Sequence, residues 1–456
     1  MLVGCDFTAK PQVVVNDVTN INPIVVDQVI RPTTTAEIKA AIKAHTGPVS
    51  IGGGRFSMGG QTATERALQI DMRSFNKILK LDVAARKVTV QAGALWRDIQ
   101  EEIDQHDLSI QIMQTYSNFT VGGSLSVNSH GRYVGQGPLV LSVESIRLVL
   151  ADGSEISASR AENTDAFLAA IGGYGGIGVI TEATLNLAKN EKIRRELKLL
   201  PVKDYKAYFF QHVRDSKDAV FHNGDLFPPD FDNMKLVTWY RTDKPLTNPR
   251  RLIPRDQKYW LGPNAISTIS TIPFGSELRA NVLEPLLNSG EMVVWRNHEA
   301  SYDVAELEPS TPRLIWTYVL QEYFVPVARF DEFVPKMRAV LRKHDVNVIN
   351  ISVRHALPDP GTYLSWAPEE VFSFVVYYKQ RTTDAAKGQV AVWTREMIDQ
   401  VLSVGGRHYL PYQIHATSEQ FKSAYPGHVE FFAAKKKYDP TGKFRNKLWD
   451  AYKPEP

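Results

Sequence analysis

The sequence predicts an α+β protein in two parts, and three observations carry that expectation. Short strand-like and helix-like segments alternate from residue 13 to residue 187. Glycine-bearing stretches at 51–61, 115–132 and 172–178 interrupt them, so strands end in loops that can surround one elongated ligand. From 190 to about 415, strand-like runs recur with helical stretches between them, which reads as an antiparallel sheet with helices on one side.

At 456 residues, the chain is long enough for two or three structural units with large cores. Hydrophobic residues at 43% and charged residues at 23% are ordinary for a globular protein. A net charge of +3 with no basic stripe gives no reason to expect a nucleic-acid partner. No apolar run approaches the length of a transmembrane helix. A single cysteine, Cys5, excludes an internal disulfide and a cysteine-based metal site. His106, His212 and His222 have no companions that suggest a metal, and none is expected. The context Leu2-Val3-Gly4-Cys5 reads either as the remnant of a bacterial lipoprotein signal with a lipid anchor at Cys5, or as a plain frayed terminus. Location follows that choice: periplasmic and membrane-anchored, or cytoplasmic.

In chain order, residues 25–30 form a short strand that Pro32 ends. Thr34-Thr35-Ala36-Glu37 has the form of a capping box, and Ile38, Ala41 and Ile42 give an apolar face, predicting a helix to about His45. The apolar stretch 48–51 runs into Gly52-Gly53-Gly54-Arg55-Phe56-Ser57-Met58-Gly59. Consecutive glycines let a backbone turn sharply and approach a ligand, and successive N–H groups make an anion site without lysine. Ser57 adds a hydroxyl. This stretch reads either as a pyrophosphate cradle or as a glycine-rich surface turn. It lacks the Gly-Lys-Ser/Thr of a Walker loop, and no long helix follows at once as in the usual dinucleotide fingerprint.

Residues 68–71, 78–82 and 87–92 read as strands, 95–106 as a helix, 139–150 as a strand, 167–171 as the end of a helix, and 179–187 as a strand. The stretch 115–132 is rich in small residues and hydroxyls and nearly uncharged, which suits backbone lying along a flat, partly polar ligand. In the second part, residues 190–196 read as a charged bridge and 245–273 as a proline-rich loop or lid. Strands are expected at 235–241, 313–325, 346–354 and 371–378, with a helix over 330–344.

Three glycine loops in this order resemble the FAD-binding domain of the vanillyl-alcohol oxidase superfamily, the PCMH type. The resemblance covers about 24–187 and resumes at Tyr438-Asp439-Pro440-Thr441-Gly442-Lys443-Phe444-Arg445-Asn446, which is similar to the family's closing motif. It implies a two-part FAD-binding domain over 1–189, a substrate cap over 190–415, and a C-terminal segment, 416–456, returning to the first domain. The resemblance implies FAD held by Gly52, Gly53, Gly54, Arg55, Phe56, Ser57, Met58 and Gly59 in the pyrophosphate loop. From the second segment it implies Tyr116, Ser117, Thr120, Gly122, Gly123, Ser126, Asn128, His130 and Gly131. Gly178, Val179, Tyr409 and Asn446 complete the set. Many members attach the flavin through a histidine just before the serine of the first loop; that slot is Phe56 here, so the expectation is non-covalent FAD.

In the cap, Leu320-Gln321-Glu322-Tyr323-Phe324-Val325-Pro326 resembles the Glu-Tyr-x-x-Pro pattern of aldonolactone and alditol oxidases. Period two places Leu320, Glu322 and Phe324 on one face and Gln321, Tyr323 and Val325 on the other. Ser352 and Arg354 share a face; alditol oxidases carry a glutamate where Ser352 stands. The segment 405–415 resembles one that reaches the flavin ring in decaprenylphosphoryl-ribose oxidases, with Tyr412 where both related groups have lysine. The implied function is FAD-dependent oxidation of a hydroxyl on a carbohydrate-like small molecule, with oxygen or another acceptor taking the electrons. The other readings are oxidation of a non-sugar alcohol or a lipid-linked sugar, and a non-catalytic FAD-binding partner protein. Tyr412, Glu322 and Arg354 are the expected catalytic residues, with an arginine drawing Tyr412 toward phenolate. Gln321, Ser352 and His415 are expected to contact substrate.

Overall fold

The computed structural model describes residues 13–257, 290–304 and 315–454. Helix and strand are mixed, and the fold is α+β. Strands Gln28–Ile30 and Val49–Gly52 flank Leu68–Asp71 in a small parallel sheet. A second, antiparallel sheet orders Glu155–Ser159, Val143–Val149, Val179–Lys189, Lys87–Gln91 and Ile78–Asp82, with Leu108–Ile110 pairing on the far end of Val179–Lys189. Glycine loops leave both sheets toward one place: the stretch after Gly52 from the first, and the stretch before Val179 from the second.

The cap is an eight-stranded antiparallel sheet. Its order is Val293–Trp295, Lys192–Pro201, Asn233–Arg241, Ala219–Leu226, Val348–Ala356, Val371–Arg381, Trp316–Pro326 and Arg407–His408. One face carries Leu226, Val325, Ile351, Val353, Phe374 and Val376, all fully buried. Helices Val202–Phe209, Phe330–Lys343 and Asp384–Ser403 supply Phe209, Phe333, Met337, Met397 and Val401 to the same core. Alternation along each strand therefore leaves the other face free for polar side chains.

The C-terminus returns to the first sheet. Phe444 bridges Val49, with Val49 N donating to the Lys443 carbonyl at 2.8 Å and Arg445 N to the Val49 carbonyl at 3.0 Å. Asn446 caps the helix Lys447–Tyr452 and donates to the Tyr174 carbonyl at 2.8 Å.

Several elements differ from the sequence reading. The single strand expected over 25–30 is two, Ile24–Val26 and Gln28–Ile30, because Asp27 N turns aside to the Ala67 carbonyl. The strand expected from residue 139 begins as a 3-10 turn, Leu139–Ser142. Leu139 N is taken by the Ser129 carbonyl and Val140 N by Asn128 Oδ1, so neither can join a ladder. The charged bridge is a full strand, Lys192–Pro201, paired on both sides. Its charges are accommodated locally, with Arg194 3.1 Å from Glu196 and lying over the Tyr240 ring. In the proposed lid, residues 258–273 lie outside the described residues. The described part docks instead on the helix Trp96–Asp104 and the turn after it: Arg251 pairs with Asp104 and Asp107, and Arg255 with Asp98 and Glu101.

Candidate active site

The first glycine loop leaves its parallel strand with Arg55 in the left-handed region, at φ 63°. The glycines are required by neighbouring backbone and side chains. A Cβ on Gly53 would lie 2.3 Å from Thr120 Oγ1, and one on Gly59 2.4 Å from the Tyr412 carbonyl. The loop is thus pressed between the second flavin-type segment and the cap. Gln61 fixes the second contact, accepting from Gly59 N at 2.8 Å and donating to the Leu410 and Tyr412 carbonyls at 2.7 Å each.

Thr120 caps the short helix Val121–Ser126, accepting from Gly123 N. Gly122 lies against Ala92, where a Cβ would come within 2.8 Å of the alanine methyl. The third loop turns through Tyr174 at φ 51° and Gly175 at φ 67°.

These three loops line one elongated cleft. Of the residues expected to touch the cofactor, Gly52, Gly53, Gly54, Arg55, Phe56, Ser57, Thr120, Gly122, Gly123, Ser126, His130, Gly178 and Tyr409 line it. Glu322, Arg354 and Tyr412 line it too, so cap and loops share one cavity.

Other expected residues lie elsewhere. Met58 turns to the cap, its carbonyl accepting from Asn22 and Gln413. Ser117 donates to the Tyr302 carbonyl at 3.1 Å. Asn128 holds Asp359 at 2.8 Å and the Val140 amide, a scaffolding position behind the loop. Gly131 packs against the Met113 carbonyl. Tyr116, Gly59, Val179 and Asn446 are not among the lining residues. Gln321 is corrected by strand alternation: it points into the cap core and donates to Tyr378 at 3.1 Å and Thr394 at 2.8 Å. His415 is buried outside the cleft, with its imidazole pushed down to about 4 by burial. Ser352 shares the face of Arg354 but lies beyond the lining.

At one end of the cleft Glu322 is the hub. His130 Nε2 lies 2.5 Å from Glu322 Oε1, Ser373 Oγ donates to the same oxygen, and the Tyr412 hydroxyl donates to Oε2 at 3.2 Å. His130 is walled by Trp366, with ring centres 4.8 Å apart, and by Phe324 at 5.5 Å. Burial opposes ionisation of Glu322. The facing His130, Arg354 and the Ser373 hydroxyl outweigh it and hold the carboxyl below its ordinary value. Tyr412 goes the other way: burial and the Glu322 charge push its phenol well above the usual range, more than Arg354 can offset. The expectation that arginine draws Tyr412 toward phenolate is therefore reversed; Tyr412 is a donor.

One residue on the cleft lining, Gln114, and one beside Gly52, Gln69, escaped sequence reading. Gln114 accepts from Trp96, Ser124 and Ser129 at 3.2, 3.0 and 3.2 Å, while its Nε2 is buried without a partner on the cleft lining. Gln69 is fully buried beside Gly52, with neither amide atom bonded. A glutamine inside a buried strand was the available signal for Gln69.

The cleft suits a dinucleotide flavin. Glycine-rich backbone lines its length, and Arg55 Nε and Gln114 Nε2 are buried donors that lack protein partners. Asp71, 3.5 Å from Arg55, compensates that arginine, whose pKa burial lowers. Among the described residues no group of three His, Cys, Asp or Glu could hold a metal, and no helix is long and apolar enough to cross a membrane.

Comparison with known proteins agrees with this chemistry. Residues 26–159 match the family model described as FAD binding domain, and residues 238–452 match D-arabinono-1,4-lactone oxidase. L-gulonolactone oxidase of Mus musculus is 24% identical over 433 residues, 91% of this chain and 92% of that protein. L-galactono-1,4-lactone dehydrogenase 2, mitochondrial, of Oryza sativa subsp. japonica is 30% identical over 131 residues, 29% of this chain and 22% of its own. Cytokinin dehydrogenase 4 of the same plant is 28% identical over 190 residues, 38% of this chain and 35% of its own. The cofactor is FAD, and the chain belongs to the PCMH-type FAD-dependent oxidoreductases of the aldonolactone oxidase group.

Proposed function

We propose that this enzyme oxidises a secondary hydroxyl of a sugar lactone or a closely related carbohydrate, with Glu322 receiving the hydroxyl proton. The observation that carries this reading is the Glu322 carboxylate held by His130, Ser373 and Tyr412, beside Arg354, at one end of the flavin cleft. FAD, when bound, supplies the hydride acceptor and passes the electrons to oxygen or another acceptor. A hydroxyl proton becomes acidic as hydride leaves its carbon, so a carboxylate of low basicity is an adequate acceptor at neutral pH. Tyr412 and His130 hold the carboxylate in place. Arg354, whose Nε is buried without a partner, orients a substrate oxygen.

The test is anaerobic bleaching of the flavin against L-gulono-, L-galactono- and D-arabinono-1,4-lactones, alditols and aromatic alcohols. Fast reduction by a lactone supports the reading. Reduction by aromatic alcohols or cytokinins alone overturns it. Repeating the reaction with and without oxygen separates an oxidase from a dehydrogenase.

The flavin is non-covalent. Phe56 stacks on Phe119 with ring centres 4.0 Å apart and offers no atom for attachment. Acid precipitation should leave FAD in the supernatant; flavin retained on the polypeptide refutes this. Cys5 lies outside the described residues, and mass spectrometry of the N-terminal peptide after expression in a bacterial host tests a lipid there.

A further inference from the structure

A second cavity lies at the seam between the first part of the chain and the cap, and it shares no lining residue with the flavin cleft. From the first part come Arg86, in the turn before the strand Lys87–Gln91, and Asn186 and Lys189, at the end of Val179–Lys189. From the cap come Val220, Arg241 and Arg296, the last following the strand Val293–Trp295. Residues 133–136 join the two walls: Val134 N donates to the Val220 carbonyl at 3.0 Å, and the Tyr133 ring meets Phe221 at 4.9 Å. At about 540 Å³ the cavity has room for a small organic ligand rather than a lone ion.

Its lining carries four cations, Arg86, Lys189, Arg241 and Arg296, against one carboxylate, Glu191. Arg296 is only 6% exposed. Its Nη2 donates to the Ile110 and Gln111 carbonyls at 3.0 and 3.3 Å, and its Nε is buried with no partner among the described residues. Glu191 is 3.9 Å from Arg296 Nη1 and is already engaged by Arg241, whose Nε donates to it at 2.7 Å. Tyr133, with its ring 5.3 Å from the Arg296 guanidinium, stays a neutral phenol because burial pushes its pKa up to about 12. One carboxylate thus serves two arginines, and Arg86 and Lys189 are exposed cations beside them. A buried guanidinium with an unspent donor and a distant, shared carboxylate is unfavourable unless an anion completes it. Neutral amides line the same space: Gln111 Nε2 reaches Gln136 Oε1 only at 3.4 Å, and Asn186 lies alongside.

The surplus of cations suits a dianion better than a single carboxylate. A phosphate monoester carries a charge of about −2 at neutral pH, and guanidinium forks match its oxygens. Side-chain amides both donate to and accept from hydroxyls. We propose that this seam is a second binding site, for the phosphate monoester of a small hydroxylated molecule, with Arg296 and Arg241 on the phosphate and Gln111, Gln136 and Asn186 on the hydroxyls. Because its walls come from both parts of the chain, the bound ligand ties the cap to the first part. The site stands independently of which hydroxyl the flavin oxidises.

The test uses the FAD-loaded protein and glucose 6-phosphate as the probe, with gluconate, inorganic phosphate and glucose beside it. Calorimetry should show glucose 6-phosphate binding more tightly than gluconate or inorganic phosphate, and no heat from glucose. The thermal midpoint should rise with glucose 6-phosphate concentration, as linkage requires. Arg296→Gln should weaken the binding about tenfold, the scale of one lost charge-assisted hydrogen bond. Should that variant not fold, Arg86→Gln combined with Lys189→Gln, at exposed positions, should weaken it measurably while FAD content and flavin reduction stay at wild-type values. Unchanged binding in these variants, or no binding by the wild type at millimolar probe, overturns the site. Gluconate binding as tightly as glucose 6-phosphate overturns the phosphate assignment, and inorganic phosphate doing so overturns the hydroxylated remainder.

Discussion

On the proposal that Glu322 takes the hydroxyl proton, one side chain concentrates the chemistry. It is almost fully buried, accepts three hydrogen bonds, and lies on the strand face that meets the cleft. Glu322→Gln keeps the volume and removes the proton acceptor. It should retain FAD and slow flavin reduction by roughly 10²–10⁴-fold, the usual scale for a lost general base; stopped-flow reduction with the true substrate measures this. Tyr412→Phe removes one donor to that carboxylate and should cost less, about 10-fold. A larger effect for Tyr412→Phe than for Glu322→Gln would return the base to the phenol. The sign of the pH dependence follows from the lowered Glu322 value. The carboxylate is the active form, so kcat/KM should be level through neutral pH and fall only on the acid side, below the ordinary glutamate range. The sequence made Glu322 visible through its resemblance to the Glu-Tyr-x-x-Pro pattern, and period two gave its face. It did not show that Gln321 is already occupied by Tyr378 and Thr394, because those partners come from another strand and from a helix far along the chain.

The glycine loop acts as an element rather than as isolated glycines. Its shape is set by Thr120 on one side and by the Tyr412 carbonyl on the other. Gly53→Ala should lower FAD content at least several-fold, since its Cβ would collide with Thr120 Oγ1. Adding Thr120→Ala removes that oxygen and should restore part of the flavin, although the helix Val121–Ser126 loses its cap, typically ~1 kcal/mol. Flavin absorbance per protein reads the outcome. No recovery in the double variant would mean that the loop is constrained mainly by the cofactor. The loop's existence and the turn after the strand were legible in Gly52-Gly53-Gly54. The identity of its neighbours was not, because Thr120 and Tyr412 lie tens to hundreds of residues away in sequence.

Across the whole molecule, buried histidines tie stability to pH. Burial lowers His222 to about 3 and His408 and His415 to about 4. Neither ring nitrogen of His408 has a partner among the described residues. An unfolded chain takes up protons at these positions near ~6.5, while the folded protein refuses them until lower pH. Their stabilising contribution is therefore intact above that value. It declines as the pH falls from there toward the folded values of about 4 and about 3, and levels off below them. The thermal midpoint, followed by circular dichroism, should drop between pH 7 and pH 4, and His408→Phe should flatten part of that slope. A midpoint unaffected by pH over this range would show that the histidines are not buried as neutral rings.

The resemblance of the loop order to a known family implied the flavin; by itself the sequence determined the α+β class, the three loops and the strand faces. These follow from local rules: glycine freedom, period-two alternation and capping are set by residues a few positions apart. It also carried Phe56 in the slot where attachment would occur. Only the tertiary structure decided how charge and protons are arranged. Tyr412 became a hydrogen-bond donor to Glu322, its phenol held protonated because burial and that carboxylate, ninety residues upstream, act on it together. His130 met Glu322 across 192 positions. Such couplings depend on distance and desolvation in the folded interior, and spacing along the chain encodes neither.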